Sequence, residues 1–448
     1  MPETIQKQLK SRDANRLSAY KKHLDFYEGR QWPGARNQKG LLTLNYVRAI
    51  IKKGTSFLMS GFQISVDPNS PAQEDAAREA EDALAEAAKA NSLARVDFAT
   101  EIDCAVLGDG AYKITWDAAG QVARVTAVDM AGIFPTPAPG DLTRFASVAH
   151  RYTASAADIF AAWGVIIARD SAVIIESWTA DELTVYLDDN PAPIVAVPTP
   201  YPSIIPFVIY PNESVPKQWN GESDVAAIIA VQQEINSEQT RLANLMELSG
   251  FPVTVLSGVE ESKGITAQAG AIWELPAEAR AVVLDLLMHG AATQHLAYLD
   301  SIKRTLHDLS ETPRAAFGDN QRDLSGVALE VELLPLLHKV ARKRAIRADA
   351  YSQRAALILA LTDLFTGTTH TASGIPVVNW QSPTPRDRAR DIQNERLLVD
   401  GALSSRRTAM ERLGEADPDT EIAAIATETA EIGVLLSQPK VDKASAPA

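Results

Sequence analysis

The sequence predicts an α+β fold in which short paired strands alternate with unusually long helices. Three observations predict it. Tyr112–Val128 alternates apolar and polar residues with a period of two. Asp224–Leu248, Leu284–Leu309 and Gly326–Phe365 have the composition and spacing of helices 25 residues long or more. Asn190–Asn212 carries seven prolines, which fix φ and disfavour helix in the residue before each. With 448 residues, 46% hydrophobic and 22% charged, the composition is ordinary and globular, which excludes collagen-like, low-complexity and wholly disordered readings. The length suggests several folding units at roughly 100–200 residues each.

In chain order, residues 1–36 are basic, with eight Lys or Arg against four acids. Leu41–Val66 (LLTLNYVRAIIKKGTSFLMSGFQISV) has the apolar spacing of a helix running into a short strand. Pro68–Pro71 interrupts the chain. Gln73–Asn91, rich in Ala and Glu, is a strong helix former with Asn91 as its stop. Tyr112–Val128 reads as two strands joined at Asp117–Gly120, and further strands are expected in Val173–Leu187. Ser223 is a candidate N-cap for the first long helix, with Asp224 in its first turn. Phe251–Val283 is a compact excursion with strand-like PVTVL and AIWEL, and Leu284–Leu309 is a second helix matching the first in length. Thr312–Leu324 (TPRAAFGDNQRDL) is a loop. Ser325 is a second candidate N-cap, and Pro335 predicts a kink in the helix that follows, because it removes one backbone hydrogen bond. Ile375–Trp380 is a last strand before helical segments at Arg386–Leu413 and Asp419–Leu436, and the tail QPKVDKASAPA is expected to fray.

Forty-three basic against 57 acidic residues give a net charge of −14. Tight duplex binding and docking on an anionic membrane both need clustered Lys and Arg, so neither is expected. The lone cysteine, Cys104, excludes an internal disulfide and a thiolate metal site; it is expected in the core, in a reducing assembly compartment. The N-terminal residues lack the apolar centre of a signal peptide and no run of about 20 apolar residues occurs, so a soluble protein is expected. Enzyme signatures are missing: there is no G-x-x-x-x-G-K-[ST], no G-x-S-x-G and no H-E-x-x-H. His289 and His295 lie about 240° apart around a helix and cannot share a ligand face. Glu261–Ser262–Lys263 has the local look of a nuclease pair, but the Pro-Asp it would need, Pro418–Asp419, is far downstream, and a solvated loop is the expected state. His307–Asp308 reads the same way. The glycines of Leu107–Tyr112 (LGDGAY) read as a turn. No catalytic residue, metal or cofactor is assigned.

The charge distribution is more informative than any motif. Asp224–Leu309 holds 11 acids and five bases, with Glu234, Glu238 and Glu247 on its first helix. His338–Arg354, by contrast, holds six bases and one acid. Lys339, Lys343 and Arg347 recur at i, i+4, i+8 and share a face, where like charges cost about 0.2–0.5 kcal/mol per pair. Carboxylates of a neighbouring element or subunit are the leading expectation for what faces them; DNA phosphates are the alternative.

FYEGRQW (Phe26–Trp32), LNYVRAIIKKGTSFLMSGFQISV and NSLARVDFATEIDCAVLGDGAYKITWDAAG are followed by IPFVIYPN, the helix start at Gly221, Ser223 and Asp224, and Asn236. SETPRAAFGDNQRDLSGVALEVEL and WQSPTPRDRARD, ahead of DGALSSRRTAMERLG, complete the series. In order and spacing these segments resemble the portal proteins of tailed bacteriophages, in the form found in long-tailed phages. The resemblance implies a non-enzymatic subunit of a ring, usually dodecameric, at one capsid vertex, assembled in the bacterial host cytoplasm. Residues 1–223 would form the wing, 224–250 the first stem helix, 251–283 the clip and 284–311 the second stem helix. Residues 312–324 would be the tunnel loop, 325–385 the long kinked helix with its return to the wing, and 386–448 a short helical crown and tail.

The implied partners are double-stranded DNA, held transiently and without sequence preference, the terminase large subunit, a head–tail adaptor, and the major capsid and scaffold proteins. Glu260, Glu261, Lys263 and Trp273 would dock partners at the clip. Arg314, Phe317, Asn320 and Arg322 would touch DNA in the tunnel, unless the loop packs only against the next subunit. An acidic wall suits such a conduit, since a basic one would hold each phosphate. Another ring-forming head–tail connector and a phage metal-dependent nuclease are the rival readings.

Overall fold

The computed structural model of the protein describes residues 4–32, 40–188, 190–250, 254–257, 280–283, 291–318, 326–384, 388–414 and 418–437. They fall into two compact units, Met1–Pro383 and Thr384–Ala448. The first is α+β, as the sequence predicts. It opens with helices α1 (Ile5–Arg12), α2 (Ala14–Tyr27) and α3 (Tyr46–Leu58), then strand β1 (Phe62–Pro68), α4 (Glu74–Asn91), α5 (Leu93–Leu107), β2 (Asp109–Asp117) and β3 (Val122–Ala127). An antiparallel meander follows: β4 (Ile133–Ala138), β5 (Asp141–Ser155), β6 (Ser171–Trp178), β7 (Glu182–Leu187) and β8 (Val195–Pro198), with α6 (Ala156–Trp163) between β5 and β6. The chain continues through β9 (Phe207–Pro211), α7 (Ile229–Gly250), the hairpin β10 (Thr254–Ser257) and β11 (Arg280–Val283), α8 (Ala291–Leu309), α9 (Gly326–Thr366) and β12 (Gly374–Trp380). β2 is the centre of a three-stranded sheet between β3 and β9, and β1 pairs with β12.

Local chemistry explains these elements. α4 buries Ala77, Ala80, Leu84 and Ala87, a helical spacing of mostly small residues that seats it on β1 and β3. Its last residue, Asn91, is buried: the side-chain amide donates to the carbonyls of Ala87 and Ala123, both at 2.8 Å, and accepts from the Val125 N–H at 3.0 Å. Ser92 follows at φ +51° and turns the chain into α5. No element is expected from sequence between 133 and 163, because Pro135 and Pro137 interrupt the alternation. Both nonetheless sit in β4, the edge of the five-stranded sheet, where a missing donor costs least, and the register shifts on either side of Pro137. The second long helix is described from Ala291, directly after the Gly290 that the sequence reading ran through.

The glycines of LGDGAY do more than turn. Gly108 ends α5 at φ +109°, and a Cβ there would lie 3.0 Å from the Gly221 carbonyl, so two backbones meet at the junction of α5 and β2. The Gly221 N–H donates to Asp109 Oδ1 at 2.7 Å, and the Tyr20 hydroxyl donates to the other oxygen. Burial outweighs these two hydrogen bonds and pushes the Asp109 carboxyl up to about 6.

The main core gathers Ala111, Tyr112 and Ile114 of β2, the Ala face of α4, and Tyr351, Ile358 and Leu361 of α9. Ion pairs run through it. Arg354 of α9 grips both carboxylate oxygens of Asp97, at 2.5 and 3.0 Å, and Arg347 meets Glu101 at 2.9 Å; all four side chains are buried. The Tyr210 and Tyr351 hydroxyls each donate to Glu101 at 2.8 Å, and Tyr112 donates to Asp97 at 3.0 Å. Asp97 and Glu101 are one turn apart on α5, so α5 and α9 are locked along their length.

In the second unit, α10 (Arg388–Asp400), α11 (Arg406–Leu413) and α12 (Pro418–Ser437) are three separate helices. Ser405 caps α11 by accepting from the Thr408 N–H at 3.1 Å, and Gly414 ends it at φ +91°. That cap divides what the sequence predicts as continuous helix from Arg386 to Leu413.

Removing one partner of a buried pair strands the other, so Glu101→Ala is expected to lower the unfolding free energy by about 3–5 kcal/mol in guanidinium denaturation. Adding Arg347→Met should restore part of the loss; no recovery would show that the two tyrosine hydroxyls dominate. A second expectation concerns acid. The folded Asp109 carboxyl keeps its proton up to about pH 6, whereas an unfolded one releases it near about 3.9. Its contribution is therefore complete below about pH 4 and is lost as pH rises through about 6. The stability of the protein relative to Asp109→Asn should fall across that window, and a difference independent of pH would refute the assignment.

Candidate functional site

The basic stripe of α9 is not a surface. Lys339, Lys343 and Arg347 are 7%, 4% and 0% exposed, and their partners belong to the same chain. Lys343 Nζ donates to Asp224 Oδ2 at 2.5 Å and to Asn212 Oδ1 at 2.9 Å. Lys339 Nζ lies 3.2 Å from Asp224 Oδ1 and donates to the Ser310 carbonyl at 3.1 Å. Arg347 also donates to the Asn212 carbonyl at 2.5 Å. Burial alone would raise the Asp224 carboxyl; the two lysines reverse that and hold it well below the usual carboxylate range. Ser223 Oγ accepts from the Val225 N–H at 3.0 Å and donates to the Val106 carbonyl at 2.5 Å, so the start of the first long helix is tied to both α5 and α9. The helix itself begins later than the sequence predicts, after a 3₁₀ turn at Ala226–Ile228.

α7 and α8 pack together. Their roots join the body through Val225, Ile228, Ile235, Leu299, Ile302 and Leu306, which cluster with Phe26 of α2 and Val47, Ile50 and Ile51 of α3. A polar ladder strengthens the joint. Gln232 donates to the Leu44 carbonyl at 2.7 Å, the Leu44 N–H donates to Asn236 Oδ1 at 3.0 Å, and Asn236 donates to Gln31 at 2.5 Å. Of the three acids assigned to this rod, Glu247 is exposed, but Glu238 is buried, accepting from Arg241 at 3.0 Å and meeting His295. Glu234 lies 3.4 Å from the same arginine. The sequence reading missed His295 and Arg241 as local counter-charges, although Glu238 and Arg241 at i, i+3 were a readable signal.

At the far end of α8 the segment predicted as loop begins as packed structure. Thr312 is buried, its carbonyl accepting from His307 Nδ1 at 2.7 Å, and Arg314–Phe317 forms a 3₁₀ turn. Arg314 donates to Asp300 Oδ1 at 2.7 Å. Phe317 stands edge-on to His307, ring centroids 5.7 Å apart, with Lys53 Nζ of α3 5.6 Å from its ring. Ala316 packs on Leu58, Leu336 and Val340. Arg314 and Phe317 thus come together at one foot of the loop. Asn320 and Arg322 lie outside the described residues, as do Glu260, Glu261, Lys263 and Trp273 of the excursion, of which only the β10–β11 hairpin is described. Pro335 lies inside α9 without ending it.

Cys104 is buried beside Arg347, and burial raises its thiol well above the ordinary range. Among the described residues, no helix is long and apolar enough to cross a membrane, and no group of three or more His, Cys, Asp or Glu is placed to hold a metal ion.

No curated protein matches the chain. Residues 6–434 match the family described as phage portal protein, SPP1 Gp6-like. The match takes in the two rods, the foot of the loop, α9 and the second unit. Such proteins are structural, form ring oligomers at the capsid vertex of the virion and work with the DNA-packaging machinery. The chain therefore belongs to the phage portal protein family, and is a subunit of the ring through which double-stranded DNA is packaged, retained and ejected.

Proposed function

We propose that the ring is a dodecamer with no catalytic activity and no cofactor, assembled in the host cytoplasm, whose mechanism is geometric and electrostatic. Residues 1–223 form the wing, in contact with the major capsid and scaffold proteins. Residues 224–250 and 284–311 form the stem. Residues 251–283 form the clip, where Glu260, Glu261, Lys263 and Trp273 dock the terminase large subunit during packaging and a head–tail adaptor afterwards. Residues 312–324 are the tunnel loop, 325–385 the long helix and its return, and 386–448 the crown.

The observation that carries this reading is the inward placement of the cations of α9. A conduit must pass phosphates without holding them, and every exposed Lys or Arg adds a favourable, salt-dependent contact. Burying Lys339, Lys343 and Arg347 against Asp224 and Glu101 removes the densest basic run of the sequence from any wall it could form. Excess acid elsewhere repels DNA over only about 10 Å at physiological salt, enough to limit sticking without blocking passage. Within the tunnel loop, Arg314 is committed to Asp300 and Phe317 to His307. The transient contacts with DNA then fall mainly to Asn320 and Arg322.

Purified protein should form closed rings on negatively stained grids, with an opening wide enough for a duplex. A stable monomer in native mass spectrometry at micromolar concentration would count against the ring. Removing residues 319–323, which spares the packed foot of the loop, should leave ring formation intact and reduce the yield of DNA-filled particles. Loss of rings in that variant would show that the loop is an assembly element instead.

A further inference from the structure

Cations elsewhere in the first unit are matched, but those around α3 are not. Arg48 and Lys52 are exposed one turn apart on its outer face, with Ser56 continuing the line. Lys53 and, on the neighbouring α8, Lys303 flank them, both half-buried. None of the four has a carboxylate within ion-pair distance among the described residues. The carboxylate at this end of α8, Asp300, is already shared by Arg304 and Arg314.

What three of the four touch instead is an aromatic face. Arg48 lies 5.7 Å from the Tyr27 ring, Lys53 5.6 Å from Phe317 and Lys303 5.8 Å from Tyr46. A ring face positions a cation without neutralising it, so its charge stays available to a second partner. Ala49 and Ser56 are small and exposed beside Arg48 and Lys52, leaving room for a bulky backbone to approach. The Lys53–Phe317 contact sets this patch beside the foot of the loop.

We propose that the outer face of α3, with Lys303, is a contact belt for the sugar–phosphate backbone of duplex DNA. The inference rests on the portal reading and adds to it a site outside the loop. A duplex presents one negative charge about every 1.7 Å along its axis, so a few unmatched cations per subunit always find phosphates whatever the sequence or register. The belt supplies grip for retention. It is narrow, because the cations of α9 are withheld inside the fold, and grip that is sparse and screened by salt still lets DNA slide.

The test uses full-chain rings and a fluorescently labelled 30-base-pair blunt duplex, with binding followed by anisotropy between 50 and 200 mM NaCl. For Arg48→Ala/Lys52→Ala, rings should form as before, affinity at 50 mM should fall by about tenfold or more, and the slope of log K against log salt should shrink by about 1.8, close to 0.9 per lost phosphate contact. Lys21→Ala/Lys22→Ala, two exposed lysines of α2, should change neither quantity. An unchanged slope in the α3 variant, an equal loss in the α2 control, or no measurable binding by unaltered rings at 50 mM overturns the belt. Disassembly of the α3 variant also overturns it, since the cations would then face carboxylates of the adjacent subunit. Failure of the unaltered protein to form rings is a different result, and removes the ring itself.

Discussion

A helix of 41 residues carrying six cations in its middle third can cross a protein interior only if carboxylates come to meet it. In this chain they come from elements distant in sequence: Asp97 and Glu101 from α5, and Asp224 from the segment ahead of α7. Taking these charges out of water costs several kcal/mol per ion, and only short, fully hydrogen-bonded geometry offsets it. The tyrosine hydroxyls on Glu101 and the Asn212 amide between Lys343 and Arg347 complete that geometry. Because one helix carries every pair, the sheet, the root of the rods and the foot of the loop share a single reference axis. Arg344 extends the axis to β12 by donating to the Gln381 carbonyl at 2.6 Å and to the Leu58 carbonyl at the end of α3.

Much of this was legible from sequence, and the rest was hidden for physical reasons. Long helices announce themselves: the expected Gly326–Phe365 differs from α9 by one residue, and Gln73–Asn91 from α4 by one at its start. β12 and the hairpin of β2 and β3 follow from alternation and a glycine turn. α5 was missed although its 15 residues hold the acids that matter. It is buried on nearly all sides, so it has no polar face to set a period, and Asp97 and Glu101 at i, i+4 look like solvated residues. The stripe on α9 was readable as a demand for opposite charge, yet nothing local tells that Asp224, more than a hundred residues earlier, answers it. Arg314 and Phe317 were readable as chemistry in a loop; that Asp300 and His307 hold them depends on the return of α8, which periodicity does not report.

The same allocation of charge links fold and function. A chain with a net charge of −14 has acid to spare, and it places some of that acid inward, against cations that would otherwise lie on surfaces facing DNA. Glu238 is treated likewise, covered by Arg241 and His295. What remains outside is a mostly acidic exterior on which a small unmatched group, such as that of α3, stands out as an electrostatic feature.

The pairing of β1 with β12 joins Phe62 to Trp380 and Pro68 to Gly374, strands more than 300 residues apart. At translation rates of about 5–20 residues per second, β1 leaves the ribosome roughly 15–60 s before its partner exists. During that interval its backbone donors are an open edge, next to other nascent copies of a protein made in many copies per virion. The charged Asp67 and the closing Pro68 give that edge little to template on, a safeguard suited to a subunit whose folding is completed by its last strand.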